Sequence, residues 1–123
     1  MISITKGFLN IKNKLHDVRN IDILKLVPDG ILIINADNSL CFYREDVNKA
    51  SMTKSLSSPN FPEFVSIQNM FVNRDNLIGI SAEPGDTKIK FIFERHEEEI
   101  NLNSEEELVS IGLKLQKNSD HTI

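Results

Sequence analysis

From Ile21 to Leu102 the chain is punctuated. Short apolar runs rich in β-branched and aromatic residues alternate with clusters of Pro, Gly, Asn and Asp. Runs of that length and composition predict strands, and such clusters predict turns. "IDILKLV", "ILIINA" and "LCFYRE" are separated by "PDG" and "DNS", which gives a strand–turn–strand–turn–strand meander. Pro28 fixes φ and Gly30 adds a permissive residue, as a tight turn requires. "FVSIQNMFV" reads as one strand, bulged near Gln68 and Asn69, and "NLIGISAE" as the next. Glu83-Pro84-Gly85-Asp86 has the residue order of a type II turn. In "TKIKFIFERHE" the residues Ile89, Phe91 and Phe93 alternate inward, and Ile100 and Leu102 share one face of "EEINLN". Residues 46–63 interrupt the pattern with four serines and two prolines, leaving room for one helical turn near Val47 to Met52.

The two ends read differently. At the C-terminal end Ser104 predicts an N-cap, and Glu107 three residues later completes a capping box. Glu105 and Glu106 fall in the first turn and Lys114 and Lys117 near the other end, matching the helix dipole at both ends. Leu108, Ile111, Gly112 and Leu115 form the inner face of that helix, and Asn118 is the expected stop. At the N-terminal end Ile4, Phe8, Ile11, Leu15 and Val18 step by four, three, four and three, one stripe on a helix over residues 4–18. The alternative is a strand at "TKGFLNIK" followed by a basic loop; the stripe favours the helix.

A chain of 123 residues suits one fold with one core, and 40% apolar content is enough to fill it. A net charge of −4 sets up no global attraction for nucleic acid or anionic membrane. The charge is uneven, with Lys6, Lys12, Lys14 and Arg19 near one end and Glu94, Glu97, Glu98, Glu99, Glu105, Glu106 and Glu107 near the other. Cys41 is the only cysteine, which excludes an intrachain disulfide and fits a reducing address, cytoplasmic or nuclear. No apolar run is long enough to span a bilayer, and no secretory leader is legible. The predicted organisation is an N-terminal helix, or first strand plus basic loop, over 1–20. A β-meander with its closing helix follows over 21–117, and then a tail over 118–123.

Seven short strands followed by one amphipathic helix resemble the pleckstrin homology (PH) superfold. "ADNSLCFYRED" is similar to the family's hairpin, and "EEINLNSEEELVSIGLKLQK" to its closing strand, link and helix. The core tryptophan usual on that helix is absent, and Val109 or Ile111 stands in its region. The resemblance implies an α+β, mainly antiparallel fold: a seven-stranded barrel or sheet closed by the C-terminal helix, with an extra N-terminal helix. A second stretch, "ILKLVPDGILIINADNSLCFYRE", resembles the opening of a PAS sensor domain, although only residues 46–63 then separate the two halves of the sheet.

Catalytic motifs are missing. His16, His96 and His121 have no partner at metal-ligand spacing, "HEEE" is not a zinc-protease motif, and Cys41 lies in an apolar strand. No enzyme, metal or cofactor is expected. The PH resemblance implies a binding module with either a protein or a phosphoinositide partner at a membrane surface. A protein partner is preferred, and no nucleic acid is expected. Lys12, Lys14, His16 and Arg19 are the candidate phosphate-binding residues, since Arg and Lys make the strong charge-assisted bonds to phosphate. Glu97, Glu98, Glu99, Glu105 and Glu106 are the candidate partner-binding residues. Acidity and length also suit a small inhibitor of the immunity-protein kind.

Overall fold

The computed structural model describes residues 2–5, 8–46, 48–56, 63–82 and 87–115. The expected turn at Glu83 to Asp86, the stop at Asn118 and the C-terminal tail lie outside them. The chain divides into two compact units, residues 1–76 and 77–123.

The first unit opens with three strands where a helix was expected. β1 (Ile2–Thr5), β2 (Phe8–Ile11) and β3 (Lys14–Asp17) form an antiparallel sheet in that order. The reversal is a two-residue turn between Ile11 and Lys14, with Lys12 at φ 51° and Asn13 at φ 67°. Two successive left-handed residues make a type I′ turn, whose twist matches that of the flanking strands. Leu9 and Ile11 face the core with no exposure, whereas Phe8 and Leu15 of the supposed helical stripe are exposed.

A five-stranded antiparallel sheet follows, in the order β6-β5-β4-β8-β7. Its strands are β4 (Ile21–Val27), β5 (Gly30–Asn35), β6 (Leu40–Tyr43), β7 (Phe64–Ile67) and β8 (Met70–Asn73). Helix α1 (Lys49–Ser55), capped by the Asn48 side chain, lies in the crossover between β6 and β7. Leu24, Ile31, Ile33 and Phe71 on one sheet face pack with Leu9, Ile11, Val18, Met52 and Leu56 into one buried cluster. Each fully buried side chain of that size contributes about 1.5–3 kcal/mol. The expected bulged strand over residues 64–72 is a hairpin, because Gln68 at φ 54° lets Ile67 and Met70 pair across a two-residue turn.

The second unit holds β9 (Gly79–Ser81), β10 (Lys88–Ile92) and β11 (Glu97–Asn101), a three-stranded antiparallel sheet with β10 central, and helix α2 (Glu105–Leu115). Ile89, Phe91 and Phe93 are buried as their alternation required, as are Ile100 and Leu102. The α2 cap forms. The Glu107 N–H donates to Ser104 Oγ at 3.2 Å, and the Glu107 carboxylate accepts from the Asn103 N–H at 2.7 Å.

The architecture is mainly antiparallel β with two helices, so the α+β class holds. The seven-stranded barrel plugged by a C-terminal helix does not form among the described residues. β8 returns beside β4 and leaves β6 as a sheet edge, and β9–β11 form a sheet of their own. Each of the three sheets has two edge strands.

Candidate functional site

Five segments of the first unit converge at one end of the five-stranded sheet. The β4–β5 turn, Pro28 and Asp29, sits beside the end of β6, because Gly30 lets the two backbones touch. A Cβ on Gly30 would stand 2.0 Å from the Tyr43 carbonyl oxygen. The β7–β8 turn is joined to β4 by a two-way bond: the Leu26 N–H donates to Asn69 O at 2.8 Å, and Asn69 Nδ2 donates to Leu26 O at 2.6 Å. Lys49, at the start of α1, donates its ammonium to the Gln68 carbonyl. The tip of the β2–β3 hairpin reaches the end of β6 through Lys12, whose Nζ lies 4.0 Å from Glu45 Oε1. Between the β4–β5 turn and Arg44, Glu45 and Asp46 lies an open hollow of about 330 Å³.

This end therefore carries Lys12, Lys14, Arg44 and Lys49, all exposed, together with Asp29, Glu45 and Asp46. It also carries the side-chain amides of Asn13, Asn48, Gln68 and Asn69. Three of the four described non-glycine residues with positive φ, namely Lys12, Asn13 and Gln68, lie here. At these positions φ > 0 is what the two-residue hairpin turns require.

Of the four candidate phosphate-binding residues, the hairpin brings Lys12 and Lys14 together. His16 lies two residues beyond Lys14 on the same face of β3. It is half-buried, with Nε2 2.6 Å from Tyr43 Oη and the rings edge to face at 5.4 Å. Burial pushes the His16 pKa down and the Tyr43 pKa up, so both partners are neutral near pH 7. Arg19 is separated from the other three. It follows β3 at the opposite end from the hairpin tip and is held by Asp17 through Nε at 3.1 Å and Nη2 at 3.0 Å. Those side-chain bonds, with the Arg19 backbone N–H, hold the Asp17 carboxyl below its usual range.

The five candidate acidic residues all belong to the second unit. Glu97 and Glu99 on β11 face Lys90 and Lys88 at 3.4 and 4.0 Å, and Glu98 points to the other face. Glu105 and Glu106 sit exposed in the first turn of α2, where they complement the helix dipole. Exposed pairs of this kind contribute at most about 1 kcal/mol. Among the described residues no cluster of three metal-ligating side chains occurs, and His96 stacks on Phe93 at 5.0 Å.

At the far end of the same sheet lies a polar knot that the sequence did not reveal. Asp22 is the extra residue of a β-bulge between Ile21 and Ile23 and is buried. Its carboxylate accepts from Asn76 Nδ2 at 2.9 Å. Asn73, fully buried, donates to the Ile21 carbonyl at 2.9 Å and accepts from the Asp75 N–H at 3.0 Å. These groups hold the fold. The only cue in the sequence was a carboxylate inside the apolar run "IDILKLV".

No family model matches the chain, and no curated protein matches it by sequence. Among solved structures it is similar to the LytTr DNA-binding domain of a putative methyl-accepting/DNA response regulator from Bacillus cereus. The TM-score is 0.56, with 9% sequence identity, over 95% of each chain. The fold is of the LytTr type. This likeness corrects the PH and PAS resemblances. It also corrects the functions taken from PH, namely a protein-binding module, a phosphoinositide-binding module, and with them the exclusion of nucleic acid. The acidic-inhibitor reading falls with them. That reading and the exclusion rested on chain-wide acidity, and the average concealed a division. The first unit has nine Lys and Arg against eight Asp and Glu, a net +1, and the second five against ten, a net −5.

Among the described residues no helix is long and apolar enough to cross a membrane.

Proposed function

We propose that the chain is a non-catalytic DNA-binding domain that meets the duplex with the loop end of its five-stranded sheet. The observation that carries this reading is the fold-wide likeness to a LytTr DNA-binding domain, over nearly the whole of both chains. The site geometry supports it. Four exposed cations stand on segments tied together by hydrogen bonds, at the end of the less acidic unit. Phosphate contacts supply most of the affinity of DNA-binding proteins and fix their register on the duplex. Lys12 and Lys14 at the hairpin tip, with Arg44 and Lys49, are the residues assigned to phosphates. Asn13 and Gln68 stand at the two hairpin tips, and an amide side chain can pair in bidentate fashion with an adenine edge in the major groove. Asn69 spends its Nδ2 on Leu26 O, so its part is to hold the β7–β8 turn in place. A DNA partner agrees with the reducing address, cytoplasmic or nuclear, expected from the single cysteine.

The test is fluorescence anisotropy with a labelled duplex. Lys12→Glu with Lys14→Glu should weaken binding at least tenfold while costing at most about 1 kcal/mol of stability, because both side chains are exposed and the Lys12–Glu45 pair lies at the surface. The same reversal at Lys88 and Lys90, which face Glu99 and Glu97 in the second unit, should leave affinity within about twofold. Equal losses from both pairs would mean a nonspecific charge effect and refute the assigned face.

A further inference from the structure

Two side-chain bridges tie the basic hairpin to the end of β6. One is Lys12 to Glu45; the other is His16 to Tyr43, at 2.6 Å. His16 stands opposite Leu9 in the β2–β3 register, and Leu9 belongs to the buried cluster that also takes Met52 and Leu56 from α1. The imidazole thus stands beside a core side chain and against Tyr43 on β6, whose hydroxyl also feels the Cys41 thiol two residues before it on that strand. The charged groups around it are Lys14, on the same face of β3, the Lys12–Glu45 pair at the tip, and Asp17, which follows it in sequence and is committed to Arg19.

We propose that His16 makes DNA binding proton-dependent: its protonation adds a third positive charge to the hairpin that bears Lys12 and Lys14. This rests on the DNA-binding reading. The chemistry balances without breaking the fold. A phenol oxygen both donates and accepts, and neutral imidazole carries one donor and one acceptor. When His16 takes up a proton from solvent, Nε2–H donates to Tyr43 Oη, and the phenol hydrogen turns to solvent, to which Tyr43 is partly exposed. The hairpin keeps its anchor and gains a charge. Burial opposes that charge in the free protein. Nearby phosphates favour it, so bound DNA raises the proton affinity of His16, and by linkage falling pH raises the affinity for DNA.

The experiment titrates the whole chain with a labelled duplex from pH 8.0 to 5.5 at 0.1 M salt, for wild type and His16→Gln. One added phosphate contact steepens the salt slope by about 0.9 and is equivalent to roughly eightfold in affinity at 0.1 M salt. Wild type should tighten by up to that factor as the pH falls, and His16→Gln should bind with little pH dependence. Tyr43→Phe should keep the pH response, since the charge and not the phenol carries it. The His16 ring proton resonance should titrate at higher pH with duplex present than without it. A His16→Gln variant that retains the wild-type pH response, or a wild-type affinity that is flat with pH, would overturn the proposal while leaving DNA binding intact. No binding at any pH would remove both.

Discussion

Gly30→Ala is the sharpest single-atom test of how the loop end is built. A Cβ at this position would meet Tyr43 O at 2.0 Å, Arg44 Cα at 3.0 Å and Glu45 N at 3.0 Å, all backbone atoms. Backbone cannot swing away as a side chain can, so β5 and β6 would have to separate by about 1 Å or more to restore ordinary contact distances. That movement breaks the terminal Ile31–Tyr43 pairing and pulls Tyr43 off the core cluster it packs against. Two lost backbone hydrogen bonds at about 1 kcal/mol each, with part of an aromatic side chain's burial, come to about 3–4 kcal/mol. Urea denaturation followed by circular dichroism reads this directly, and the melting temperature should fall by roughly 10 °C or more. Arg44 and Lys12 are carried on or bridged to the displaced strand, so DNA affinity should fall as well, under conditions where the variant is still folded. A loss below about 1 kcal/mol would refute the claim that the close approach of these backbones shapes the site.

Other consequences can be checked in the same assays. Asn73→Ala leaves the Ile21 carbonyl and the Asp75 N–H without their partner and should cost about 2–3 kcal/mol in urea denaturation. Ile111→Asp places a carboxylate at a buried position of α2 and should cost several kcal/mol, seen as loss of the cooperative melting transition. His16 is held below its ordinary pKa by burial, so its neutral form is favoured in the folded chain. The stability it contributes is full above about pH 6.5 and is lost as the pH falls through the lower folded value. His16→Gln should therefore flatten the acid side of the stability profile in that window.

The strands with apolar runs or clean alternation were legible. β4, β5 and β6 follow their apolar runs, and Ile89, Phe91 and Phe93 of the β10 region face inward as expected. Helix α2 was legible because its start is local chemistry, Ser104 with Glu107. The first three strands are hidden in the sequence because Ile4, Phe8, Ile11, Leu15 and Val18 match a helical period by coincidence. The turn that breaks them uses Lys12 and Asn13 in place of Gly or Pro. Gln68 hid the β7–β8 hairpin in the same way. Sheet order was out of reach, since nothing local says that β8 pairs with β4 and leaves β6 at an edge. Only part of the candidate site was visible, for the same reason. Lys12 and Lys14 are neighbours in sequence, whereas Arg44, Lys49 and Gln68 join them only through tertiary contacts. The acidic total misled because it summed two units of different charge.

Four cations gathered at the loop end of the five-stranded sheet should make duplex binding steeply dependent on salt. Four phosphate contacts, from Lys12, Lys14, Arg44 and Lys49, correspond to a slope of about −3.6 in log affinity against log salt. Affinity should then fall about 150-fold between 50 and 200 mM salt. Lys12→Glu with Lys14→Glu should bring the slope to about −1.8 or shallower. No duplex binding at 50 mM salt, or a slope that the double reversal leaves unchanged, would mean that these cations do not hold DNA phosphates.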